Sequence, residues 1–412
     1  MSPPRRQRGE NTRSAHLPAP AAPRSSPLGL PVWRSAAWGP AGPAGGGAHG
    51  GGDRVENPTT AAFAAAVASL EGAAAPEDVA GEAFSSGRAA VSAVLMTFLR
   101  SGAHVVAPAS ADEGVRSLLT GVLARFGVSA DFADYAEPAR VSAAVRRSTK
   151  IIYAETLSTP AAAVADIRGL YRVARSAGAL LVVDSTYATP VVCRPLEHGA
   201  DLVVHSATTY LGGHDDCAGG VVVGRPDLVG RLRGVRAVTG AELSPDDAFL
   251  LRRGLETLPL RVRRMCSTAM VFAAAVAKHP AVRRVDYPGL PHHPGHRLAR
   301  HLFDSGPEGT RYGACVTVVP HGGPDAAARL TGALRLVSAA SSAGGTRTKV
   351  TPVAALGPGG SGGSGGPGGP GGPGDGAEDG TGAVRFSIGL EDAEDLIVDV
   401  TRALDSLLTP GR

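Results

Sequence analysis

Short apolar runs separated by helical stretches limit most severely what this chain can fold into. Residues 104–107 (HVVA), 151–153 (IIY), 180–183 (LLVV), 202–204 (LVV) and 220–223 (GVVV) read as buried strands. Between some of them lie helix-like segments, 112–126 and 164–177, the latter apolar at Ile167, Leu170, Tyr171 and Ala174. Near-continuous apolar strands alternating with helices indicate an α/β fold whose mostly parallel sheet is covered on both faces.

With 43% hydrophobic and 19% charged residues, the chain has enough apolar surface for a large core, which excludes wholesale disorder. Its 56 glycines and 32 prolines are unevenly placed, with much of the excess in two tracts. Residues 1–52 are rich in Pro, Ala, Gly and Arg without a hydrophobic period and read as a disordered basic arm. Residues 357–382 are almost entirely Gly, Pro and Ser and read as a flexible surface insert within a domain. A large domain is expected over 53–250 and a C-terminal domain over 251–412, interrupted by the insert. Pro245 marks a change of texture, followed by a long helical segment over 259–278.

Residues 1–50 hold six arginines against Glu10, so the chain beyond them is close to neutral despite the net charge of +4. That balance argues against nucleic-acid binding by the folded body. Cys193, Cys217, Cys266 and Cys315 form no CxxC pair, so neither a metal site nor a disulfide framework is expected. No apolar run reaches membrane-spanning length, and no apolar stretch follows the basic N-terminus as in a secretory signal. A cytoplasmic protein without membrane partners is the expectation.

In sheets of this kind, polar groups at the carboxyl ends of strands line the ligand crevice. Asp184 follows four apolar strand residues and so needs a cationic partner, although a plain turn carboxylate explains it about as well. His205-Ser206-Ala207-Thr208-Thr209 follows another strand, and Glu155-Thr156 a third. Ser85-Ser86-Gly87 precedes a helical run, where free N–H groups suit an anion, though most such sequences are simple caps.

Residues 182–224, VVDSTYATPVVCRPLEHGADLVVHSATTYLGGHDDCAGGVVVG, make the pattern specific. Ordered matches accompany them: Arg54 with Asn57-Pro58-Thr59, Leu70-Glu71-Gly72, Ser85-Ser86-Gly87, RRGLETL at 252–258, Tyr287-Pro288-Gly289-Leu290 and VRFSIGLED at 384–392. Together they resemble the Cys/Met-metabolism family of pyridoxal-phosphate (PLP) enzymes, the cystathionine γ-synthase, cystathionine γ-lyase and methionine γ-lyase group. The resemblance spans residues 53–408 apart from the insert. It implies a fold-type I PLP transferase-like large domain, a smaller C-terminal α+β domain, and assembly as a dimer or tetramer.

The resemblance also assigns roles. Asp184 would pair with the pyridinium nitrogen, making the ring an electron sink. Ser86, Gly87, Arg88, Thr186, Ser206 and Thr208 would surround the cofactor, with the phosphate held by Ser206, Thr208 and the Gly87 backbone. Arg54 would reach the phosphate in a neighbouring subunit. Arg385 would clamp the substrate α-carboxylate, with Ser342 in the substrate loop.

Departures cluster at the groups that do covalent and stacking work. Thr209 stands where the family carries its Schiff-base lysine, and a hydroxyl cannot replace that amine. Asp112 replaces the ring-stacking tyrosine, Gly52 a phosphate-contacting tyrosine, Arg88 a methionine and Thr159 an asparagine. Ser342-Ala343-Gly344-Gly345 is an altered loop, followed by Arg347 where an acid is usual. Of three lysines, Lys150 reads as a solvated edge residue, Lys278 as a cation at a helix end that favours the macrodipole, and Lys349 as a candidate substitute amine. His205 and Asp112 are the candidate bases nearby. The histidines of HHPGH at 292–296 and of HDDC at 214–217 read as structural rather than metal-binding, so no metal is expected.

Three functions follow. In the first, the protein binds PLP or a PLP–amino-acid adduct noncovalently, with weakened or altered carbon–sulfur lyase or cystathionine γ-synthase-like transferase chemistry. In the second, it is a non-catalytic partner subunit in a hetero-oligomer with an active paralogue. In the third, it is a repurposed enzyme of specialised metabolism acting on an amino-acid-derived substrate.

Overall fold

The computed structural model describes residues 10–18, 29–35, 57–72, 78–353 and 382–408. The chain divides into two compact units, residues 1–156 with 165–260, and residues 157–164 with 261–412.

The first unit is built on seven strands. They are β1 (Ala80–Phe84), β2 (His104–Pro108), β3 (Ser129–Ala133), β4 (Thr149–Glu155), β5 (Leu180–Asp184), β6 (Leu202–Ser206) and β7 (Gly220–Gly224), in the spatial order β1-β7-β6-β5-β4-β2-β3. Neighbours from β6 to β3 pair in parallel, whereas β7 runs antiparallel to both β6 and β1. The mostly parallel α/β sheet expected from the apolar runs is therefore present. Its helices are α1 (Glu10–Ala15), α2 (Pro58–Glu71), α3 (Gly87–Phe98), α4 (Glu113–Ser117), α5 (Pro138–Ala144), α6 (Ile167–Ala177), α7 (Thr189–Val192), α8 (Pro226–Thr239) and α9 (Pro245–Glu256). Local chemistry starts several of them. Asn57 caps α2 through Thr59 N–H with Pro58 in its first turn, Ser86 caps α3 through Ala89 N–H, and Asp166 caps α6 through Gly169 N–H. One face of the sheet packs Val105, Ile151, Val182, Val204 and Val222 against Val94 and Leu95 of α3 and Leu232 of α8.

Position 205 is where the sheet's apolar texture breaks. His205 and Glu71 are both fully buried, with His205 Nε2 and Glu71 Oε1 2.7 Å apart, tying the end of α2 to β6. Their other polar atoms, His205 Nδ1 and Glu71 Oε2, have no partner among the described residues, so the one bond carries the pair.

The second unit contains a five-stranded sheet ordered β12-β13-β14-β11-β8, from β8 (Val282–Asp286), β11 (Cys315–Pro320), β12 (Ser338–Ala339), β13 (Lys349–Val353) and β14 (Ala383–Ser387). A small ribbon, β9 (Ser305–Gly306) with β10 (Gly309–Thr310), lies outside it. The helices are α10 (Leu258–Val276), α11 (His296–Leu302), α12 (Gly323–Ala333) and α13 (Ala393–Leu408). Phe272 of α10 meets Phe386 of β14 at 5.3 Å between ring centroids, in a core shared with Leu330, Leu396 and Val400.

Two expectations are corrected. The border expected at 250 lies at 260, and 157–164 joins the second unit, because the helix after Pro245 is α9, which packs on α2. The arm expected to be structureless over 1–52 holds ordered stretches. Arg13 donates to Leu70 O at 3.2 Å, Arg252 to Pro18 O at 3.1 Å, and Ser14 to Leu255 O. Trp33 N–H donates to Thr59 Oγ1 at 3.0 Å, Asn57 Nδ2 to Trp33 O at 2.6 Å, and Arg34 pairs with Asp246. These stretches carry no period of their own and are placed by side chains of α2 and α9. The rest of 1–52, and 357–381 of the insert, lie outside the described residues.

The strands flanking the insert pair antiparallel with Val353 opposite Ala383, so its two ends are already held together. Deleting residues 359–380 should leave the urea unfolding free energy within about 1 kcal/mol of wild type, because loop length enters closure entropy only logarithmically. Glu71→Ala, in contrast, should cost about 3–5 kcal/mol in the same assay by orphaning buried His205.

Candidate active site

The carboxyl ends of β4, β5 and β6 lie side by side and bring Glu155, Asp184 and Ser206 to one edge of the sheet, with Glu155 paired opposite Asp184. Asp184 Oδ1 accepts from Thr186 N–H at 2.9 Å, and Asp184 Oδ2 from the Tyr153 hydroxyl at 3.2 Å. It makes no ion pair among the described residues. Burial raises its pKa despite the opposing hydrogen bonds of Thr186 and Tyr153. Glu155 is 7% exposed, and its Oε1 accepts from Asp112 N–H at 3.1 Å. Burial first, and then repulsion by Asp184, push its pKa up to about 8. Burial and the neighbouring carboxylates hold the Tyr153 phenol far above its ordinary value, so it remains a donor.

A second feature adjoins this edge. Ser86 accepts from Ala89 N–H at 3.1 Å and caps α3, leaving Gly87 N–H and Arg88 N–H without partners among the described residues. Gly87 is required by contact. A side chain there would place its Cβ 2.6 Å from Ser206 Cβ. Ser206 Oγ faces that approach and makes no hydrogen bond among the described residues. Ser206 N–H donates to Thr186 Oγ1 at 2.8 Å, which locks the turn after β5 to the end of β6.

The turn after β6 is closed by its own hydroxyls. Thr208 Oγ1 lies 3.1 Å from Gly219 N, whose N–H it accepts, and 3.3 Å from Gly219 O. Thr209 Oγ1 donates to Ser206 O at 3.0 Å. Thr208 is thus occupied by the backbone, whereas Ser206 is open. Arg88, an exposed residue, extends its guanidinium over Gly114, with Nε 2.6 Å from where a Cβ would sit.

His205, expected as a candidate base, is corrected to a buried structural residue, since strand alternation turns it away from the Asp184 edge and onto Glu71. Asp112 Oδ1 accepts from Gly114 N–H at 2.8 Å and caps α4. Arg385 and Ser342 belong to the second unit. There Arg385, flanked by Thr317 and Thr351 on neighbouring strands, donates to Ser341 O at 3.1 Å and Thr351 Oγ1 at 3.1 Å, while Ser342 is exposed. Lys349 Nζ donates to Gly344 O at 2.9 Å in a buried setting, which gives it a structural task. Arg54 lies outside the described residues. Strand-end reasoning missed Tyr153, though its position two residues before Glu155 on one strand face was the available signal.

The residues present fit a phosphorylated pyridine. A half-buried carboxyl with neutral donors and no ion pair accepts a cationic ring N–H, and open N–H groups with a free hydroxyl accept a phosphate. They do not fit covalent capture of its aldehyde at position 209, where the side chain is a hydroxyl turned back to the main chain.

The sequence profile of the Cys/Met metabolism PLP-dependent enzymes matches residues 50–356. The chain is similar to an L-methionine gamma-lyase of Porphyromonas gingivalis, 36% identical over 358 residues that cover 86% of this chain and 85% of that one. It is also similar to a canavanine gamma-lyase of Rhizobium leguminosarum bv. trifolii, 41% identical over 78% of this chain and 77% of the relative. A cystathionine gamma-lyase of Bacillus subtilis is 37% identical over 86% and 88% respectively. Among solved structures, metB from Corynebacterium glutamicum superposes with a TM-score of 0.83 at 32% identity, covering 97% of this chain and 98% of that one.

Glu155 should reveal itself in the pH dependence of stability. The folded chain keeps its proton up to about pH 8, whereas the unfolded chain releases it near 4.5. The folded state therefore binds the extra proton between those values, and stability falls as pH rises through that window. Relative to Glu155→Gln, the unfolding free energy should decline by roughly 1 kcal/mol per pH unit from 4.5 to about 8 and then level off. A flat difference would show that Glu155 ionises normally.

Proposed function

The chain belongs to the Cys/Met metabolism family of PLP-dependent enzymes, and from that premise we propose that it holds PLP, or a PLP–amino-acid adduct, without a covalent bond. Its carbon–sulfur chemistry is then weakened or altered relative to the family's lyases and γ-synthases. The observation that carries this reading is the contrast at one sheet edge. The half-buried Asp184 carboxyl keeps its donors and has no cationic partner among the described residues, while Thr209 has its hydroxyl tied to Ser206 O.

Asp184 accepts the ring N–H, and Tyr153 and Thr186 keep its carboxylate oriented for that bond. Ser206 Oγ and the N–H groups of Gly87 and Arg88 take the phosphate, with the positive end of α3 directed at it. Glu155, protonated below about pH 8, adds no further negative charge beside Asp184. Bound PLP supplies an electron sink for a substrate carbanion. Arg385 orients the amino-acid carboxylate in the family's manner. Thr209 moves no proton, since an aliphatic hydroxyl does not titrate in the working range and this one is engaged with the backbone. Assembly as a homo-oligomer, bringing Arg54 from a second copy to the phosphate, completes the reading.

Equilibrium dialysis of the full chain against PLP should show saturable binding that survives no denaturing wash and leaves no borohydride-fixed adduct. Asp184→Ala should weaken that binding about tenfold or more, because a charge-assisted bond to a half-buried group is lost. Thr209→Lys should create a borohydride-fixable attachment at position 209 and raise elimination activity. Failure of the wild type to bind PLP would sink the reading in favour of a non-catalytic partner subunit. A covalent adduct on Lys349 in the wild type would overturn it too.

A further inference from the structure

Arg88 points to a binding site that the cofactor reading does not use. Its backbone belongs to the first turn of α3, but its guanidinium makes no hydrogen bond or ion pair among the described residues. The carboxylate of Asp112, which shares the space over Gly114, is turned to Gly114 N–H instead. Arg88 heads a cavity of about 300 Å³ between α3 and the helical run after Glu113, lined by Val91, Ser92, Val115, Leu118 and Val122 among others. Two rows of side chains at four-residue spacing stand in its walls, Arg88-Ser92 on α3 and Leu118-Val122 opposite, and the first row continues one helical turn beyond the lining to Met96. The first row extends about 12 Å along its helix axis. Residues 118–122 are wound as a π-helix, a rare and strained turn concentrated at functional sites. Val122 of the lining is 50% exposed, and Met96, one turn beyond Ser92, is 48% exposed.

We infer that this groove binds an unbranched aliphatic monocarboxylate, head on Arg88 and tail along the two rows. The charge sets the class of occupant. An unpaired guanidinium at one end selects an anion with the planar fork geometry of a carboxylate. Walls of Val and Leu select a hydrocarbon tail, and the half-exposed Val122 with Met96 just beyond the lining leaves room for an unbranched one. Neither Asp184 nor Thr209 lines the groove, and Arg88 enters the proposed phosphate site through its N–H alone, so the inference concerns its side chain.

The test is calorimetric titration of the full-length chain with octanoate, 1-octanol and 1-octylamine, with and without PLP. Octanoate should saturate one site per chain whether or not PLP is present, 1-octanol should bind about tenfold more weakly, and 1-octylamine should not bind. Arg88→Met should cost octanoate about tenfold and leave 1-octanol unchanged. Val122→Trp, at a half-exposed position and with its fold checked by circular dichroism, should abolish binding of both by filling the groove. Absence of saturable octanoate binding, including absence because a second copy covers the groove, overturns the inference. Equal affinity for octanoate and 1-octylamine, or octanoate binding unchanged in Arg88→Met and Val122→Trp, overturns it as well.

Discussion

A carboxylate pair at the end of a parallel sheet is the constraint on which the site depends. Parallel pairing of β4 with β5 sets the buried Glu155 opposite the half-buried Asp184. Two ionised carboxylates cannot both stay there without a cation. The chain meets this in part by keeping Glu155 protonated to about pH 8, and in part by surrounding Asp184 with neutral donors from Tyr153 and Thr186. What remains is a concentrated negative site that a cationic ring nitrogen would complete. The same logic explains why Tyr153 is held as a phenol and never as a phenolate.

That edge is held in place from below and from the side. The Glu71–His205 bond pins β6 to α2, and the close approach of Gly87 to Ser206 fixes how near α3 comes to the strand. Thr186 then joins the turns after β5 and β6 through Ser206 N–H. A phosphate-sized anion between Ser206 and the first turn of α3 and a ring nitrogen at Asp184 would therefore rest on the same few backbone segments. Position 209 lies on this frame but contributes no reactive group to it, since its hydroxyl closes the turn.

The sequence made several of these residues legible. Asp184 and Ser206 stand directly after apolar runs, and the strand-end rule picks them out without knowledge of pairing. Ser86-Gly87 was visible as a cap but gained meaning only when Ser206 was found against it. Tyr153 looked like strand core because its ring is core, and only its hydroxyl reaches Asp184. His205 looked available because one-dimensional adjacency to Ser206 hides the alternation that turns it the other way. The ordered stretches of the arm had no signal of their own, since Thr59, Asn57, Arg252 and Leu255, which hold them, come from elsewhere in the chain.

By itself, the sequence determined the sheet, its parallel character, the family and the identity of residue 209, because each is a matter of local pattern or of side-chain chemistry that no fold can alter. Only the tertiary structure decided which polar atoms remain available. Ser206 is open and Thr208 is spent on Gly219, His205 is buried on Glu71, and Arg88 leaves the first turn of α3 for a groove of its own. Availability depends on partners brought from distant parts of the chain and on burial, which is a property of the packed whole.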